Sequence, residues 1–387
     1  MSSMIDKTDT FEIVRYIEND IIQHLQPNKV IVIYGPRRVG KTTLVHKLAK
    51  QISDPVLWLN GENLDTQEWL SSRSLTKLTA GIGSYRRLII DEAQRVDQIG
   101  LNLKILIDSI PNIRIIATGS SSFDLANQVG EPLVGRKWQY QLYPVAQLEL
   151  VPMETPFESK LKLEERLIYG SYPEVVTTQG AQEKRNILSS IVDGALFKDL
   201  FMLDGIKKPA KAVQLAKAIA LQVGGLISLT ELSNTLDINL ATVERYLDLL
   251  EKTFVIISVS GFRRNLRTEL TKTRRYYFWD NGIRNSLINS FNPLSLRTDT
   301  GQLWENYIFI ERMKKRDYQH IYSNIYFWRT HNRQEIDLVE ERDGKLHGVE
   351  IKWSPSKGRR PPSNWTDTYP NAEYVVVNRE NYLSFIT

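Results

Sequence analysis

The chain has 387 residues, of which 42% are hydrophobic and 25% are charged, so it is too apolar for a disordered chain and too long for one small core. Cysteine is absent, which excludes disulfides and sites in which thiolates hold zinc or iron–sulfur clusters. The N-terminus lacks the apolar core of a signal peptide, and no apolar stretch reaches about 18 residues, the length of a membrane span. We therefore expect a cytoplasmic protein without a membrane partner. Its formal net charge of +5 permits a polyanionic partner.

An α/β unit with a parallel sheet is predicted over roughly residues 28–145. Short apolar runs without alternation are typical of buried parallel strands, and segments of helical length separate them. Strands that alternate with helices favour a parallel sheet. The runs are 30–34, 56–59, 88–90 and 113–117.

Mostly helical periodicity follows Pro152 and extends to about residue 221. Residues 226–253 then predict two short helices with Thr230 and Asn239 as candidate caps, followed by strands at 254–260 and 276–279. Helix, turn, helix and hairpin form the outline of a winged helix.

A last α/β unit begins near Gly301, with a helix through Arg316 and four apolar strands behind it. The strands are predicted at 325–328, 336–339, 348–351 and 374–377. The predicted units are thus a first α/β domain at 1–150, a helical region at 151–222, a winged helix at 223–290 and a second α/β domain at 291–387.

The first predicted strand leads into a match to the phosphate-binding pattern G-x-x-x-x-G-K-[ST], with a predicted helix behind it. The glycines let backbone amides close around phosphate oxygens, and the helix N-terminus favours their charge. Lys41 is expected to reach the β- and γ-phosphates, and the Thr42 hydroxyl to ligate Mg²⁺. ATP and Mg²⁺ are therefore the expected ligands. The loop consists of Gly35, Pro36, Arg37, Arg38, Val39, Gly40, Lys41, Thr42 and Thr43.

A second element of this site lies about 50 residues on, where an apolar strand ends in Asp91 and Glu92. Asp91 is expected to help hold Mg²⁺, and Glu92 to polarise the attacking water, so the prediction of ATP hydrolysis depends on Glu92. The strand predicted at 113–117 leads into Thr118, Gly119 and Ser120, which places a polar side chain at the same sheet edge.

The segments GPRRVGKTT, LIIDEAQ, IIATGSSS, LVGR, YPVAQLEL and YGSYPEVV resemble those of bacterial and archaeal AAA-type ATPases that carry a C-terminal nuclease-like domain of unassigned function. The resemblance implies that Ser120 lies at the sensor position. It also implies that Arg136 is a candidate arginine finger, acting in cis or from a neighbouring subunit. Assembly into a homo-oligomer, with a ring as one form, is implied in the same way. The alternative for Arg136 is a surface arginine beside Lys137.

Near the C-terminus, two strand-like segments carry Asp337 and then Glu350 with Lys352, the latter two on one face because strands have period 2. Carboxylates that bind Mg²⁺, with a lysine beside them, suit phosphodiester cleavage. Glu305 on the preceding helix supplies a further carboxylate. This order resembles the PD-(D/E)XK nuclease fold. The alternatives are an exposed cross-strand ion pair, or a relic that holds nucleic acid or only packs.

Two runs of basic residues flank these units and are candidate contacts to nucleic acid, although solvated loops are the ordinary explanation. The helix at 240–251 is not notably basic, so phosphate contact by the basic loop is favoured over base reading. The runs are Arg263, Arg264, Arg267, Lys272, Arg274 and Arg275, and then Lys352, Lys357, Arg359 and Arg360.

Together these patterns predict an AAA-type ATPase that acts on DNA as a motor or a switch. Two alternatives remain open at this point. One is a regulatory signalling ATPase that uses its C-terminal domain for protein docking. The other is an active ATP-dependent endonuclease, which requires that Asp337 and Glu350 bind catalytic metal.

Overall fold

The computed structural model describes residues 13–51, 54–120, 132–196, 208–262, 274–330, 332–355 and 360–387. Across these ranges, every helix is either too short or too polar to cross a membrane.

Within the described residues, the N-terminal unit is built on a parallel five-stranded sheet of order β2-β3-β4-β1-β5. Strand β1, with the sequence KVIVIY, is buried on both faces, as its unbroken apolar run predicts. Ile31 and Ile33 pack with helix α2 on one face, and Val30 and Val32 pack with helices α4 and α5 on the other. The strands are β1 (Lys29–Tyr34), β2 (Val56–Asn60), β3 (Arg87–Asp91), β4 (Arg114–Gly119) and β5 (Lys137–Gln141).

The helices of this unit connect the strands across the two faces of the sheet. They are α1 (Glu18–His24), α2 (Lys41–Gln51), α3 (Leu64–Leu70), α4 (Leu75–Ile82) and α5 (Ile99–Ser109), with a 3₁₀ turn at Ala93–Arg95.

A helical region follows the sheet. Its helix α7 begins with Pro156 in the first turn, behind a capping box in which Thr155 and Glu158 each bind the other's backbone N–H. Pro156 therefore starts a helix at the beginning of the predicted helical region. The helices are α6 (Gln147–Leu150), α7 (Pro156–Leu161), α8 (Leu163–Tyr169), α9 (Pro173–Thr177) and α10 (Ala181–Ser190), followed by a π-helical turn at Ile191–Leu196.

The next segment runs as a helix, a short strand, two helices and a hairpin. Asn239 caps the third of these helices by accepting the N–H of Thr242, as the sequence predicts. The cap of the second is Ser228, which accepts the N–H of Glu231, so the prediction of Thr230 as the cap was wrong. The elements are α11 (Pro209–Leu221), β6 (Leu226–Ile227), α12 (Leu229–Leu236), α13 (Leu240–Lys252), β7 (Ile256–Gly261) and β8 (Arg274–Phe278).

The C-terminal part contributes further helices and the strands β9 to β12 of a second sheet. Its long helix α15 packs against β8 and β11 of the second sheet. The elements are α14 (Asn281–Leu287), a 3₁₀ turn at Leu294–Leu296, α15 (Thr300–Tyr318), β9 (Asn324–Arg329), β10 (Glu335–Arg342), β11 (Lys345–Ile351), α16 (Ser363–Thr368), β12 (Glu373–Val377) and α17 (Tyr382–Ile386).

A second sheet, of order β12-β11-β10-β9-β7-β8-β6 in the described part of the chain, joins the hairpin to the C-terminal strands. The junction is short: Ser260 and Gly261 of β7 pair in parallel with Tyr326 and Phe327 of β9. The sheet therefore runs across the boundary predicted at residue 290. A single buried apolar cluster also extends from α1 through the helical region to α17.

Candidate functional site

The loop between β1 and α2 has backbone conformations that glycine allows. Gly35 has φ of 151°, and a Cβ atom there would lie 2.1 Å from the carbonyl oxygen of Leu142. Gly40 has φ of 92°. The loop therefore follows β1 closely and delivers its backbone to the carboxyl edge of the parallel sheet, where ligands of such sheets bind.

The Lys41 side chain is buried and folds back along this loop. Its ammonium group donates to the carbonyl oxygens of Gly35 at 2.8 Å and of Pro36 at 2.7 Å. Because a buried ammonium needs acceptors, these two bonds keep the charge at the phosphate-binding loop.

Asp91, at the end of β3, is held by hydroxyl groups from two other elements. Its Oδ2 accepts the Thr42 hydroxyl at 2.8 Å, and its Oδ1 accepts the Thr118 hydroxyl and the backbone N–H of Glu92, the latter at 3.2 Å. A hydroxyl beside a carboxylate is an oxygen pair of the kind that Mg²⁺ accepts together with water and phosphate. Thr42 and Asp91 therefore fit the predicted metal.

Glu92 lies beside the loop and is connected to Ser120 through Gln94. The Gln94 amide nitrogen donates to Glu92 Oε2 at 2.6 Å and to Ser120 Oγ at 3.0 Å. Glu92 has φ of 51°, and Gly61 approaches it so closely that a Cβ there would lie 2.4 Å from the Glu92 carbonyl oxygen. The geometry thus fixes the carboxylate next to the residue predicted as sensor.

A pocket of 590 Å³ opens over this site, and its walls come from two parts of the chain. One wall consists of loop residues and Glu92. The other consists of Pro173 and Glu174 of α9 and Gly194 of the π-helical turn. The guanidinium of Arg38 lies 3.9 Å from the Glu174 carboxylate across the opening. The loop residues that line the pocket are Arg37, Arg38, Gly40, Lys41, Thr42 and Thr43.

Arg15, a residue that no sequence pattern indicated, supports the loop from behind. Its buried guanidinium donates to the Val39 carbonyl at 2.6 Å, to the Tyr143 carbonyl at 2.7 Å and to Glu149 Oε1 at 3.0 Å. The Tyr318 hydroxyl, at the end of α15, lies 3.5 Å away. The phosphate-binding loop is therefore connected to the C-terminal helix through one side chain.

Arg136, the candidate arginine finger, lies far from this pocket. It directly precedes β5, whose Lys137 pairs with Val30, whereas the phosphate-binding loop follows Tyr34 at the other end of β1. Four residues of strand separate the two edges, about 13 Å. Its side chain forms an ion pair with Asp108. This arrangement does not bring Arg136 to the nucleotide site of its own chain, so it does not support a role in cis.

The structure brings the predicted C-terminal site residues together. It also places among them Arg275, which the sequence analysis assigned to the first basic run. Arg275 of β8 is 3% exposed. Its guanidinium lies 3.3 Å from Glu305, 2.6 Å from Glu335 and 3.6 Å from Asp337. We call Glu305, Glu335, Asp337 and Glu350 the acidic cluster. Arg275 was grouped with a basic loop that contacts nucleic acid, but the structure buries it among these carboxylates, where it cannot reach a phosphate.

Lys352 supplies a second cation on the other side of the cluster. Its ammonium lies 2.8 Å from Glu350 and 3.5 Å from Asp337, whose Oδ2 also accepts the backbone N–H of Ile351 at 2.9 Å. Burial and the neighbouring Asp337 carboxylate raise the pKa of Glu305 to about 8. Burial would lower the pKa of Arg275, but the surrounding Tyr277, Glu305, Glu335 and Asp337 raise it.

The remaining basic candidates are placed as follows. Arg274 is exposed and donates to the Ser258 hydroxyl at 3.1 Å, and Arg360 is exposed. The others lie outside the described residues, namely Arg263, Arg264, Arg267, Lys272, Lys357 and Arg359.

Some site residues escaped the sequence analysis although a signal was present. Gln94 stands three positions after Asp91. Glu335 precedes Asp337 by two, so period 2 places both on one face. Arg15 has no local signal, because its partners are distant in sequence.

Comparison with protein families agrees with the loop geometry. Residues 27–151 match the model described as AAA domain, residues 160–294 match a domain of unknown function (DUF8612), and residues 300–386 match another (DUF4143). The sheet, the loop and the first match define residues 27–151 as a P-loop domain of the AAA type, the class of ATPases to which such domains belong.

Individual proteins resemble most of the chain at low identity. An uncharacterised protein of Mycobacterium tuberculosis is 28% identical over 329 residues, covering 84% of this chain and 70% of that protein. One of Methanocaldococcus jannaschii is 26% identical over 374 residues, covering 88% and 80%. The structure of a Walker-type ATPase of Pyrococcus abyssi superposes with a TM-score of 0.48 at 16% identity, covering 72% of this chain and 96% of that one.

Proposed function

We propose that this chain hydrolyses ATP with Mg²⁺ and uses the nucleotide as a switch on DNA. The observation that carries the hydrolysis is the arrangement at the carboxyl edge of the first sheet: the Thr42 hydroxyl lies 2.8 Å from Asp91, with Lys41 and Glu92 in the same pocket. Nucleotide binding without hydrolysis does not require a second, separately held carboxylate at this position.

Each residue has a distinct task in this proposal. The loop amides and Lys41 bind the phosphates, and Thr42 and Asp91 hold Mg²⁺. When bound, the metal neutralises charge on the phosphates. Glu92 orients water and accepts its proton, and the amide of Gln94 holds the Glu92 carboxylate in place at 2.6 Å.

The position of the pocket suggests how the protein distinguishes ATP from ADP. Because Pro173, Glu174 and Gly194 form its far wall, a bound triphosphate touches both the P-loop domain and the helical region. Phosphate charge competes with Glu174 for Arg38, which lies 3.9 Å from that carboxylate. We expect ATP and ADP to differ in how firmly they hold these two regions together.

The DNA part of the proposal is supported by the order of elements from α11 to β8, which is that of a winged helix. The residues that join β7 to β8 lie outside the described ranges and include Arg263, Arg264, Arg267 and Lys272 of the predicted basic run. The exposed Glu244, Arg245 and Asp248 of α13 give that helix no net positive face. Phosphate contact by the hairpin is therefore favoured over base reading.

A regulatory ATPase that docks a protein partner is the second candidate. It is favoured by the acidic cluster, whose carboxylates are paired with Arg275 and Lys352 inside the C-terminal part of the second sheet. The same pairing argues against the endonuclease alternative, which needs those oxygens for metal.

Homo-oligomer formation is a further part of the proposal. Arg136 lies at the sheet edge opposite its own nucleotide pocket and is 45% exposed in its side chain. Only another copy of the chain could present it to a phosphate, which is how an arginine finger acts in trans.

An ATPase assay titrated with duplex, forked and single-stranded DNA tests the DNA role. We expect at least one DNA structure to stimulate turnover, with a stimulation that falls as salt rises. Replacing Arg263, Arg264 and Arg267 by alanine should weaken DNA binding equally for all sequences. It should also lower the log–log salt slope by ~0.9 for each phosphate that the variant no longer binds.

The control replaces Lys50, Lys104 and Lys160 by alanine, because these cations are exposed outside the winged-helix segment. Removing Mg²⁺ with EDTA should abolish turnover. An ATPase rate that no DNA structure changes would favour the protein-docking candidate.

A further inference from the structure

We propose that the guanidinium of Arg275 is a built-in cation of the acidic cluster, so that the cluster is a fixed ion-paired joint and takes no divalent metal. This inference concerns the second sheet and does not depend on the ATPase proposal.

The first observation is that one buried guanidinium contacts three carboxyl groups. Nη1 of Arg275 lies 3.3 Å from Glu305 and 3.6 Å from Asp337, while Nη2 lies 2.6 Å from Glu335. The guanidinium carbon also lies 4.9 Å from the ring centre of Phe327, which adds a cation–π contact. Removing this cation would leave Glu335 and Asp337 with one ion-pair partner each.

The second observation is that Lys352 and Arg329 bring two further cations to the cluster. Lys352 lies between Glu350 and Asp337, and Arg329 lies 3.5 Å from the second oxygen of Glu335. The Tyr277 hydroxyl donates to Glu305 at 2.8 Å. The carboxylate oxygens with these contacts therefore face nitrogen atoms and a hydroxyl group.

A divalent ion needs several oxygens converging on one position. No group of three or more histidine, aspartate or glutamate side chains in the described ranges is arranged to hold a metal ion. An ion placed between Glu305 and Asp337 would also meet the charge of Arg275 at close range. The residues present thus do not fit the metal that the sequence pattern implies.

The joint connects elements that are distant in the chain. Arg275 comes from β8, Glu305 from α15, and Glu335 and Asp337 from β10. Because β7 and β9 share two residue pairs in the described part of the chain, this ion network supplies a further attachment between the hairpin and the C-terminal strands, beside the packing of α15 on β8. Its role is to keep those two parts in register.

The direction in which Asp337→Asn changes the Tm distinguishes the ion-paired joint from an empty metal site. In nucleotide-free protein with EDTA, Asp337→Asn removes a partner of two cations, so we expect the Tm to fall by ~5 °C or more. If the carboxylates were an unneutralised metal site, the same change would relieve repulsion and raise the Tm. The control is Asp54→Asn, which neutralises an exposed carboxylate paired with Arg87 and should change the Tm little.

Binding of Mn²⁺ to nucleotide-free protein, followed by electron paramagnetic resonance, tests the same point directly. We expect the wild-type chain to show no saturable binding that depends on Asp337 up to ~1 mM, the weak end of protein cation sites. Arg275→Gln removes the built-in cation and should gain such binding, and the double variant Arg275→Gln with Asp337→Asn should lose it again.

Three results would overturn the proposal. These are a wild-type site that binds one Mn²⁺ and loses it in Asp337→Asn, a rise in Tm for Asp337→Asn without metal, or a folded Arg275→Gln chain with unchanged Tm. If Arg275→Gln does not fold, the Tm and Mn²⁺ measurements on wild type and Asp337→Asn still decide the matter.

Discussion

At the scale of single residues, the nucleotide site is arranged before any ligand arrives. The two oxygens of Asp91 accept from different elements, Thr42 on α2 and Thr118 on β4, so the carboxylate cannot rotate freely. Glu92 is fixed by its backbone conformation and by Gln94. Groups that are oriented in advance need no rearrangement during the reaction, which is how a site lowers a barrier.

Gln94 is the residue whose role is easiest to isolate. We predict that Gln94→Ala lowers kcat about tenfold, because a hydrogen bond to a charged group contributes about 1.5 kcal/mol, which corresponds to about that factor in rate. The KM for ATP should change little, since Gln94 does not line the pocket. Steady-state kinetics at saturating Mg²⁺ measure both quantities. Gln139→Ala, at an exposed position of β5, is the control. A raised KM with unchanged kcat would show that Gln94 serves binding.

At the scale of elements, the phosphate-binding loop depends on contacts outside its own strand and helix. Arg15 precedes α1, Glu149 belongs to α6, and Tyr318 ends α15, and all three meet behind Val39. Gln147 of α6 also donates its backbone N–H to Glu311 of α15 at 2.6 Å. A displacement of the loop on nucleotide binding would therefore act on α15, which also carries Glu305.

The Arg15–Glu149 pair allows the positioning role of Arg15 to be separated from its contribution to stability. Arg15→Met leaves a buried carboxylate unpaired and should cost about 3–5 kcal/mol of unfolding free energy. Replacing both residues, Arg15→Met with Glu149→Leu, should recover most of that stability. The hydrogen bond to the Val39 carbonyl is absent from both variants, so the KM for ATP should remain raised in both. Denaturant unfolding and ATP titration measure the two effects, and full recovery of the KM in the double variant would contradict the positioning role.

At the scale of the whole molecule, the sequence predicts local features well and distant contacts poorly. The P-loop, Asp91 and most strands were predicted because each has a pattern within a few residues. Strand β5 was missed, since KWQYQ is a polar edge strand with two exposed residues at its centre. The pairing of β7 with β9 and the burial of Arg275 join positions more than 50 residues apart, for which no spacing in the chain is diagnostic.

The central claim is that the chain binds ATP through Lys41 and hydrolyses it through Glu92. Equilibrium binding of ATP and single-turnover hydrolysis, measured side by side on Lys41→Ala and Glu92→Gln, test it most directly. We predict that Lys41→Ala loses binding, whereas Glu92→Gln binds ATP like the wild type and hydrolyses it ~100-fold more slowly or worse, because only the acceptance of the proton from water is removed. Wild-type turnover in Lys41→Ala, or equal loss of binding in both variants, would contradict the account.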